Sequence, residues 1–240
     1  MKPNPLENGM RVYADGWPFV GDGDILEGMR VYANGEDMSS ALIYHTSTSA
    51  TWTARLKGPA GSFVTFDWGD GSTPTTLELA TGGTDFIHDY SGAGAGTKVI
   101  RLYGALINIS FLSVDHRNIN TIFSLNILAN LTTLRLNSNN ISDISSLSGL
   151  TSLIYLYLHE NPINYPLTGI SWFTATSGIF RFDSTVDSSA KVDRWLIDLA
   201  AANWSNCVIY LNETNPDRTS ASDAAIATLL VNGCTVYVNE

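Results

Sequence analysis

The feature that most constrains the fold of this chain is a period of 22 residues between Ile109 and about Thr174. Five positions of one unit recur in the next, so that Leu131, Leu134, Leu136, Asn139 and Ile141 return as Leu153, Leu156, Leu158, Asn161 and Ile163. One step earlier the same positions hold Ile109, Leu112, Val114, Arg117 and Ile119, and only the Asn is replaced. This agreement predicts stacked repeats, in which each unit buries its apolar face against its neighbours.

The spacing Leu-x-Leu within each unit predicts a short strand. Side chains alternate along a strand, so both leucines point to the same side. The Asn that follows lies where the chain bends away, and its amide can bond backbone groups that the bend would leave unpaired. Stacked units then form a parallel sheet, and we expect its strands near 111–115, 133–137, 155–159, 179–183, 207–212 and 234–239.

A family resemblance rests on these repeats. The stretch LTTLRLNSNNISDISSLSGLTSLIYLYLHENPIN resembles the leucine-rich repeats of internalin-type bacterial surface proteins, which have the same 22-residue length. The resemblance covers roughly a quarter of the chain. It implies a solenoid that serves as a protein-binding scaffold and carries no catalysis.

After the short repeats the chain indicates longer strand–helix units of roughly 26 to 28 residues. The stretches AKVDRWLIDLAAAN and SASDAAIATLLVNG favour helices, the second with Ser220 or Ser222 as its N-cap. The matching strands CVIYLN and CTVYVN place Cys207 and Cys234 on the core side, where we expect free thiols. This tail resembles the C-terminal segments of phage and Bacteroidetes repeat proteins.

Residues 39–104 predict a small β-sandwich, because short β-branched and aromatic runs alternate there with Gly, Pro and Ser turns. The stretches FDWGDGS, HDYSGAG and KVIRLYG resemble a PKD-type immunoglobulin-like domain, whose hallmark positions here hold Asp67, Gly69, Asp70, Gly71, His88 and Tyr90. Two carboxylates in a Gly-rich turn could contribute oxygens to a calcium ion, but Ca²⁺ needs about six to eight ligands. We expect Asx turns that stabilise the hairpin.

The first 38 residues hold a second duplication, in which LENGMRVYADG returns as LEGMRVYANG. One interpretation is a pair of edge strands or a hairpin on the next domain. The other is an arm that docks on another subunit through the residues Met10, Arg11, Tyr13, Met29, Arg30 and Tyr32.

The expected fold class is therefore mainly β with an α/β solenoid. The predicted domains are an N-terminal arm (1–38), a PKD-like β-sandwich (39–104) and a leucine-rich repeat solenoid (105–240). Within the solenoid, short repeats occupy 109–174 and longer strand–helix units occupy 175–240.

Composition excludes several classes of partner. The net charge of −10 disfavours nucleic acid and anionic membranes, since both attract basic patches. No apolar run approaches the length that spans a bilayer, and the start of the chain lacks the apolar region of a signal peptide. The motifs of metal-dependent, nucleotide-binding and serine hydrolases are absent as well. We expect no catalytic residues, no metal and no cofactor.

A candidate binding site follows from the alignment of the units. If the leucines face inwards, the alternating residues form columns on the concave sheet face, where the candidates are Arg135, Tyr155, Tyr157, His159, Arg181, Tyr210 and Tyr237. Tyr and Arg are favoured at interfaces and glycan sites. The high strand propensity of aromatic residues is the alternative explanation.

These observations favour a non-enzymatic structural or binding protein. The leading interpretation is a phage virion subunit, a head decoration or a tail appendage, because virion proteins are released by lysis and need no signal peptide. It would join other subunits through the arm and present the repeat surface to a host-surface protein or glycan. The alternatives are a bacterial cell-surface adhesin and an intracellular leucine-rich repeat scaffold.

Overall fold

The computed structural model describes residues 51–92, 96–164, 175–183 and 186–240 with their side chains, and the backbone alone of five strands before residue 48. Those five strands are β1 (Met10–Ala14), β2 (Trp17–Pro18), β3 (Arg30–Ala33), β4 (Glu36–Asp37) and β5 (Ala41–Ser47). The next five are β6 (Thr51–Lys57), β7 (Phe63–Asp67), β8 (Thr75–Glu78), β9 (Thr84–Asp89) and β10 (Gly96–Gly104). Strands β5 to β10 fall on the six short runs that the sequence indicates, so this β-rich region is confirmed.

The remaining strands belong to the repeats. They are β11 (Phe111–Ser113), β12 (Ile119–Phe123), β13 (Thr133–Arg135), β14 (Tyr155–Tyr157), β15 (Gly178–Arg181), β16 (Cys207–Leu211) and β17 (Thr235–Val238). Two helices, α1 (Ser189–Ala201) and α2 (Asp223–Val231), lie in the longer units, and short 3₁₀ turns stand in for them in the shorter ones. None of the helices in the described part of the chain has the length and apolarity to cross a bilayer.

The largest sheet has eight strands in the order β17-β16-β15-β14-β13-β11-β6-β9. The six strands from β11 to β17 that belong to it run parallel, at the places that the sequence predicts from the 22-residue period and from the longer strand–helix units. At the end of this parallel array β6 pairs antiparallel with β11, and β9 pairs antiparallel with β6. The expectation that the β-rich domain caps the first repeat strand is confirmed, because β6 covers the edge that β11 would otherwise expose.

A second sheet has five strands in the order β12-β5-β10-β7-β8. Strand β12 comes from the first repeat, yet it pairs with β5, which precedes residue 48. The predicted sandwich and solenoid therefore exchange strands in both directions. The predicted boundary at residue 104 separates them along the chain but not in the sheets.

One apolar core runs through both parts of the molecule. The register aligns inward-facing side chains across the large sheet, and these are Leu56, Leu112, Leu134, Leu156, Phe180 and Ile209, each 2% exposed or less. Behind β6, the rings of Trp52 and Phe66 lie 6.3 Å apart and join the two sheets. All of these residues belong to a single cluster of buried side chains. Burial of each such side chain contributes roughly 1.5–3 kcal/mol.

The recurrence of Asn at the same position of successive repeats has a direct structural reason. The Asn139 Nδ2 group donates to the backbone oxygens of Val114 and Leu136, at 3.0 and 2.9 Å. Its Oδ1 accepts from the backbone N–H groups of Arg117 and Ile119, at 2.9 and 3.0 Å. One amide thus connects two successive coils, as the sequence predicts.

The same role recurs at two other positions. Asn161 donates to the carbonyls of Leu136 and Leu158. Asn215 donates to those of Phe182 and Leu211. In the first unit no earlier coil exists to receive such bonds, and Arg117 instead donates from Nε to the carbonyl of Thr53 on β6. The replacement of Asn in that unit is therefore explained by its contact with the cap.

The longer units confirm the predicted helices and buried thiols. Cys207 and Cys234 are free and buried, and burial, reinforced by Cys234, raises the pKa of the Cys207 thiol to about 12. Ser222 occupies the N-cap position of α2, but its side chain makes no capping bond. Its hydroxyl donates to Asp193 Oδ1 of α1 at 2.7 Å, so it joins the two helices instead.

The N-terminal duplication forms a separate four-stranded sheet in the order β2-β1-β3-β4. The two copies of the motif pair antiparallel with each other, with Arg11 opposite Tyr32 and Tyr13 opposite Arg30. Among the described strands, none of these four pairs with a strand of the other sheets. The two copies are therefore not edge strands of another described sheet but pair with each other. Packing of this pair on the next domain and docking on another subunit both stay predictions. Met29 lies outside the described residues.

Candidate functional site

The outward face of the large sheet brings the predicted column of residues together. Because Leu134 and its equivalents face the core, their neighbours along each strand point the other way. The register pairs Ser113, Arg135, Tyr157, Arg181, Tyr210 and Tyr237, strand by strand. A parallel column holds Phe111, Thr133 and Tyr155. The predicted alignment of these residues is confirmed, and their role in binding stays a prediction.

The tyrosine rings on this face stand on edge. The rings of Tyr210 and Tyr237 stack with centroids 4.7 Å apart and planes at 11°. This separation matches the spacing of about 4.8 Å between neighbouring strands, so the ring faces point along the column. Their edges are consequently directed towards solvent. Tyr155 and Tyr237 are 39% and 44% exposed, so both leave apolar ring surface open to solvent.

Arginine side chains lie against the rings of this face. The guanidinium carbon of Arg135 lies 5.0 Å from the centroid of Tyr157 and 5.8 Å from that of Phe111. Arg181 lies 5.2 Å from the ring of Tyr210. Such cation–π contacts contribute roughly 0.5–1 kcal/mol each at exposed positions, and they hold the arginines in fixed orientations.

The end of the column near β15 carries a charged cluster. Arg181 pairs with Asp183 at 2.5 Å and with Glu213 at 3.3 Å. The Asp183 side chain is fully buried, and within the described residues one of its oxygens has no hydrogen-bond partner. His159 lies beside this cluster, where burial and the charge of Arg181 lower the pKa of its imidazole and favour the neutral form. Its Nδ1 is also buried and has no hydrogen-bond partner among the described side chains and backbone groups.

The face extends beyond the repeats onto strand β6. Lys57 lies opposite Phe111 and Arg55 lies opposite Ser113, so both continue the outward columns. The amino group of Lys57 lies 4.9 Å from the centroid of Phe111. Arg55 forms an ion pair with Asp85 of β9. The repeat period carries no signal for these residues, because β6 lies outside it and pairs in the opposite direction.

The turn after β7 resembles a functional loop in sequence but has a structural role here. The Asp67 and Asp70 carboxylates accept from the backbone N–H groups of Gly69 and Ser72, at 3.0 Å each. These are the predicted Asx turns. A side chain at Gly69 would place its Cβ 2.2 Å from the carbonyl oxygen of Val99, so only glycine fits there.

The same turn is fixed by three rings. His88 Nε2 lies 2.7 Å from Asp70 Oδ2, and the His88 ring stacks on Trp68 with centroids 4.7 Å apart. Tyr90 donates its hydroxyl to the carbonyl of Trp68 at 2.7 Å. Burial alone would raise the pKa of the Asp70 carboxyl, but hydrogen bonds from Ser72 and His88 outweigh it and lower the pKa to about 2. Asp70 is thus committed to internal bonds.

In the described part of the chain, no group of three or more His, Cys, Asp or Glu side chains is placed to hold an ion. The outward face of the large sheet carries several Tyr and Arg side chains, which are residue types that interfaces favour.

Comparisons with known proteins agree with the repeat geometry. None of the curated proteins matches the chain. Among solved structures, the chain is similar to an internalin, InlF, from Listeria monocytogenes, with 19% sequence identity and a TM-score of 0.33. The aligned part covers 57% of this chain and spans half the length of that one. The family model for leucine-rich repeats, in two copies, matches residues 129–171, so these residues are leucine-rich repeats by sequence.

Proposed function

We propose that this protein is a non-enzymatic binding protein whose concave sheet face takes a protein partner. The observation that supports it most is the column of Arg and Tyr side chains across five neighbouring strands, from Arg135 on β13 to Tyr237 on β17. Fold stability does not require this composition on a solvated face. Tyr and Arg are the residue types that contribute most to affinity at protein interfaces, because they bury large areas at low entropic cost.

The orientation of the rings favours a protein over a glycan. Sugars stack on open aromatic faces, but the faces of Tyr210 and Tyr237 are turned towards each other. One face of Tyr157 is covered by Arg135. The ring faces within the column are therefore covered, and the edges and hydroxyl groups of Tyr157 and Tyr210 suit the backbone and polar side chains of a protein partner.

Two finer expectations belong to this proposal. The region 39–104 is a PKD-like sandwich, supported by the Asx turns at Asp67 and Asp70 and by the bond from Tyr90 to Trp68. The protein acts outside a cell, as a virion subunit that assembles through the N-terminal sheet. A bacterial cell-surface adhesin is an equally consistent placement, supported by the leucine-rich repeats. Mass spectrometry of purified virions and of bacterial surface fractions separates the two.

The concave face can be tested without a known partner. A displayed random-peptide library is selected for binding to the wild-type protein. The affinity of the retained clones is then measured for the variant Tyr155→Ala/Tyr157→Ala. Both rings lie on the solvent side of β14, so we expect a nearly unchanged melting temperature. We expect binding to weaken by roughly 2 kcal/mol or more.

The matched control is Ile197→Ala/Leu230→Ala, which removes two large apolar side chains that are 37% and 54% exposed on the helices. This variant should keep full binding. If the selected clones bind the tyrosine variant as well as the wild type, the concave face is not the binding site.

A further inference from the structure

Two positive charges on the concave face lack a carboxylate partner. Within the described residues, six cations do form an ion pair, and these are Arg55, Arg101, Arg181, Lys191, Arg194 and Arg218. No carboxylate in the same set lies within ion-pair distance of Lys57 or Arg135. Within the described residues these two cations lack a carboxylate partner although acidic residues outnumber basic ones by 23 to 13 in the chain.

Both of these cations contact the same ring. The Lys57 amino group and the Arg135 guanidinium lie 4.9 and 5.8 Å from the centroid of Phe111. Lys57 is on β6, Phe111 is on β11 and Arg135 is on β13, so the three side chains come from three adjacent strands. They meet where the antiparallel part of the sheet joins the parallel part.

The packing holds the two charges in place. Each cation rests on an aromatic face, which restricts its side chain at little energetic cost. Arg135 is held from both sides, since it also lies 5.0 Å from Tyr157. A positive group that is ordered before binding loses less conformational entropy when a ligand arrives.

We propose that Lys57, Phe111 and Arg135 form a subsite for an acidic segment of the protein partner. The proposal rests on the proposed function, to which it adds the chemistry of the ligand. Strands β6 and β13 flank β11, so the two charges start from backbones about 10 Å apart. An extended chain rises by about 3.3 Å per residue and its side chains alternate, so carboxylates four residues apart point to the same side. At about 13 Å from each other, they are within reach of the long Lys57 and Arg135 side chains. Between them, an apolar side chain can cover the edge of Phe111.

An acidic protein segment fits better than an acidic glycan. The ring surfaces that a sugar would need are covered by the same two cations. Beyond Arg135 the column continues as Tyr157 and Arg181, and Arg181 is already neutralised by Asp183 and Glu213. The positive potential is therefore confined to a short patch, whereas a polyanionic glycan would meet repulsion from the acidic remainder of the chain.

The test uses the displayed random-peptide library, with Lys57→Gln/Arg135→Gln as the variant. Clones retained by the wild type should be enriched in Asp or Glu spaced four residues apart, the spacing that puts both carboxylates on one side of an extended chain. Their binding should weaken roughly tenfold on the variant, as expected for the loss of two exposed ion pairs, and should weaken with added salt. Lys57→Arg/Arg135→Lys, which keeps both charges, should retain most of the binding.

The matched control is Lys98→Gln/Lys191→Gln, which removes two charges at positions on β10 and α1. Should the neutral double variant prove unfolded by circular dichroism, Arg135→Gln alone takes its place, because Arg135 is exposed. Retained clones without acidic enrichment, or with equal binding to the neutral variant, overturn the subsite. A heparin oligosaccharide that binds and loses binding on the variant, while no acidic peptide does, overturns the protein partner.

The result also separates the subsite from the wider proposal. Clones that depend on Tyr155 and Tyr157 but carry no acidic pattern refute the subsite and leave the concave face as the binding surface. Clones that depend on neither pair refute both.

Discussion

The amide of Asn139 provides the sharpest test of how the coils are held together. In Asn139→Ala the backbone oxygen of Leu136 keeps a partner, since Asn161 also donates to it at 2.9 Å. The carbonyl of Val114 and the N–H groups of Arg117 and Ile119 lose theirs. A buried backbone group left unpaired costs about 1–3 kcal/mol. A water molecule can enter the vacated space and bond some of these groups, so the lower end of that range applies, and we expect a loss of about 3–4 kcal/mol in the free energy of unfolding.

Urea-induced unfolding, followed by circular dichroism, measures this loss as a shift of the transition midpoint. Asn140→Ala is the matched control, because Asn140 is exposed and its side chain makes no hydrogen bond within the described residues. That variant should change stability by less than about 0.5 kcal/mol.

Substitution of the next repeat Asn leaves fewer backbone groups without a partner. In Asn161→Ala, Leu136 keeps its bond from Asn139, and only the carbonyl of Leu158 and the N–H group of Ile141 lose a partner. We therefore expect a smaller loss, of about 2 kcal/mol. If Asn139→Ala costs no more than Asn140→Ala, or less than Asn161→Ala, the account of these amides as connections between coils is wrong.

Three further predictions concern other parts of the molecule. Leu134→Asp places a carboxylate in the fully buried apolar row and should abolish folding of the solenoid, which the loss of the cooperative thermal transition would reveal. Because the pKa of Asp70 is lowered to about 2, its ionised form stabilises the fold above the unfolded value near 3.8, and this stability is lost as pH falls towards 2. Wild type should thus lose about 2 kcal/mol more than Asp70→Asn between pH 5 and 2 in acid titrations followed by fluorescence. Deletion of residues 1–38 should leave a folded protein that no longer assembles, so normal incorporation of the truncated chain would rule out the N-terminal sheet as the anchor.

The sequence predicts the regular part of the fold because the apolar residues that recur from unit to unit are the ones that the core buries. Each Leu-x-Leu pair must face inwards, and this fixes both the strand and the opposite column on the concave face. The six parallel strands and the alignment from Ser113 to Tyr237 follow directly.

What the sequence does not predict are contacts that no period governs. Strand β6 joins the face through antiparallel pairing over a long separation, so Lys57 carries no local signal. The repeat motif does not identify Asn215, because this residue follows Leu211 by four residues, whereas Asn161 follows Leu158 by three. The pairing of β12 with β5 in the second sheet is likewise a contact that the repeat period does not indicate.

The strand exchange between the two halves of the molecule has a mechanical consequence. Domains that are joined by a linker swivel, and a pulling force extends the linker first. Here the joint consists of two ladders, β6 with β11 and β5 with β12, one in each sheet. A twist at the joint would have to shear both ladders together, so torque applied to the β-rich half is transmitted to the repeats. The orientation of the concave face is thus set by whatever binds the strands from β5 to β10.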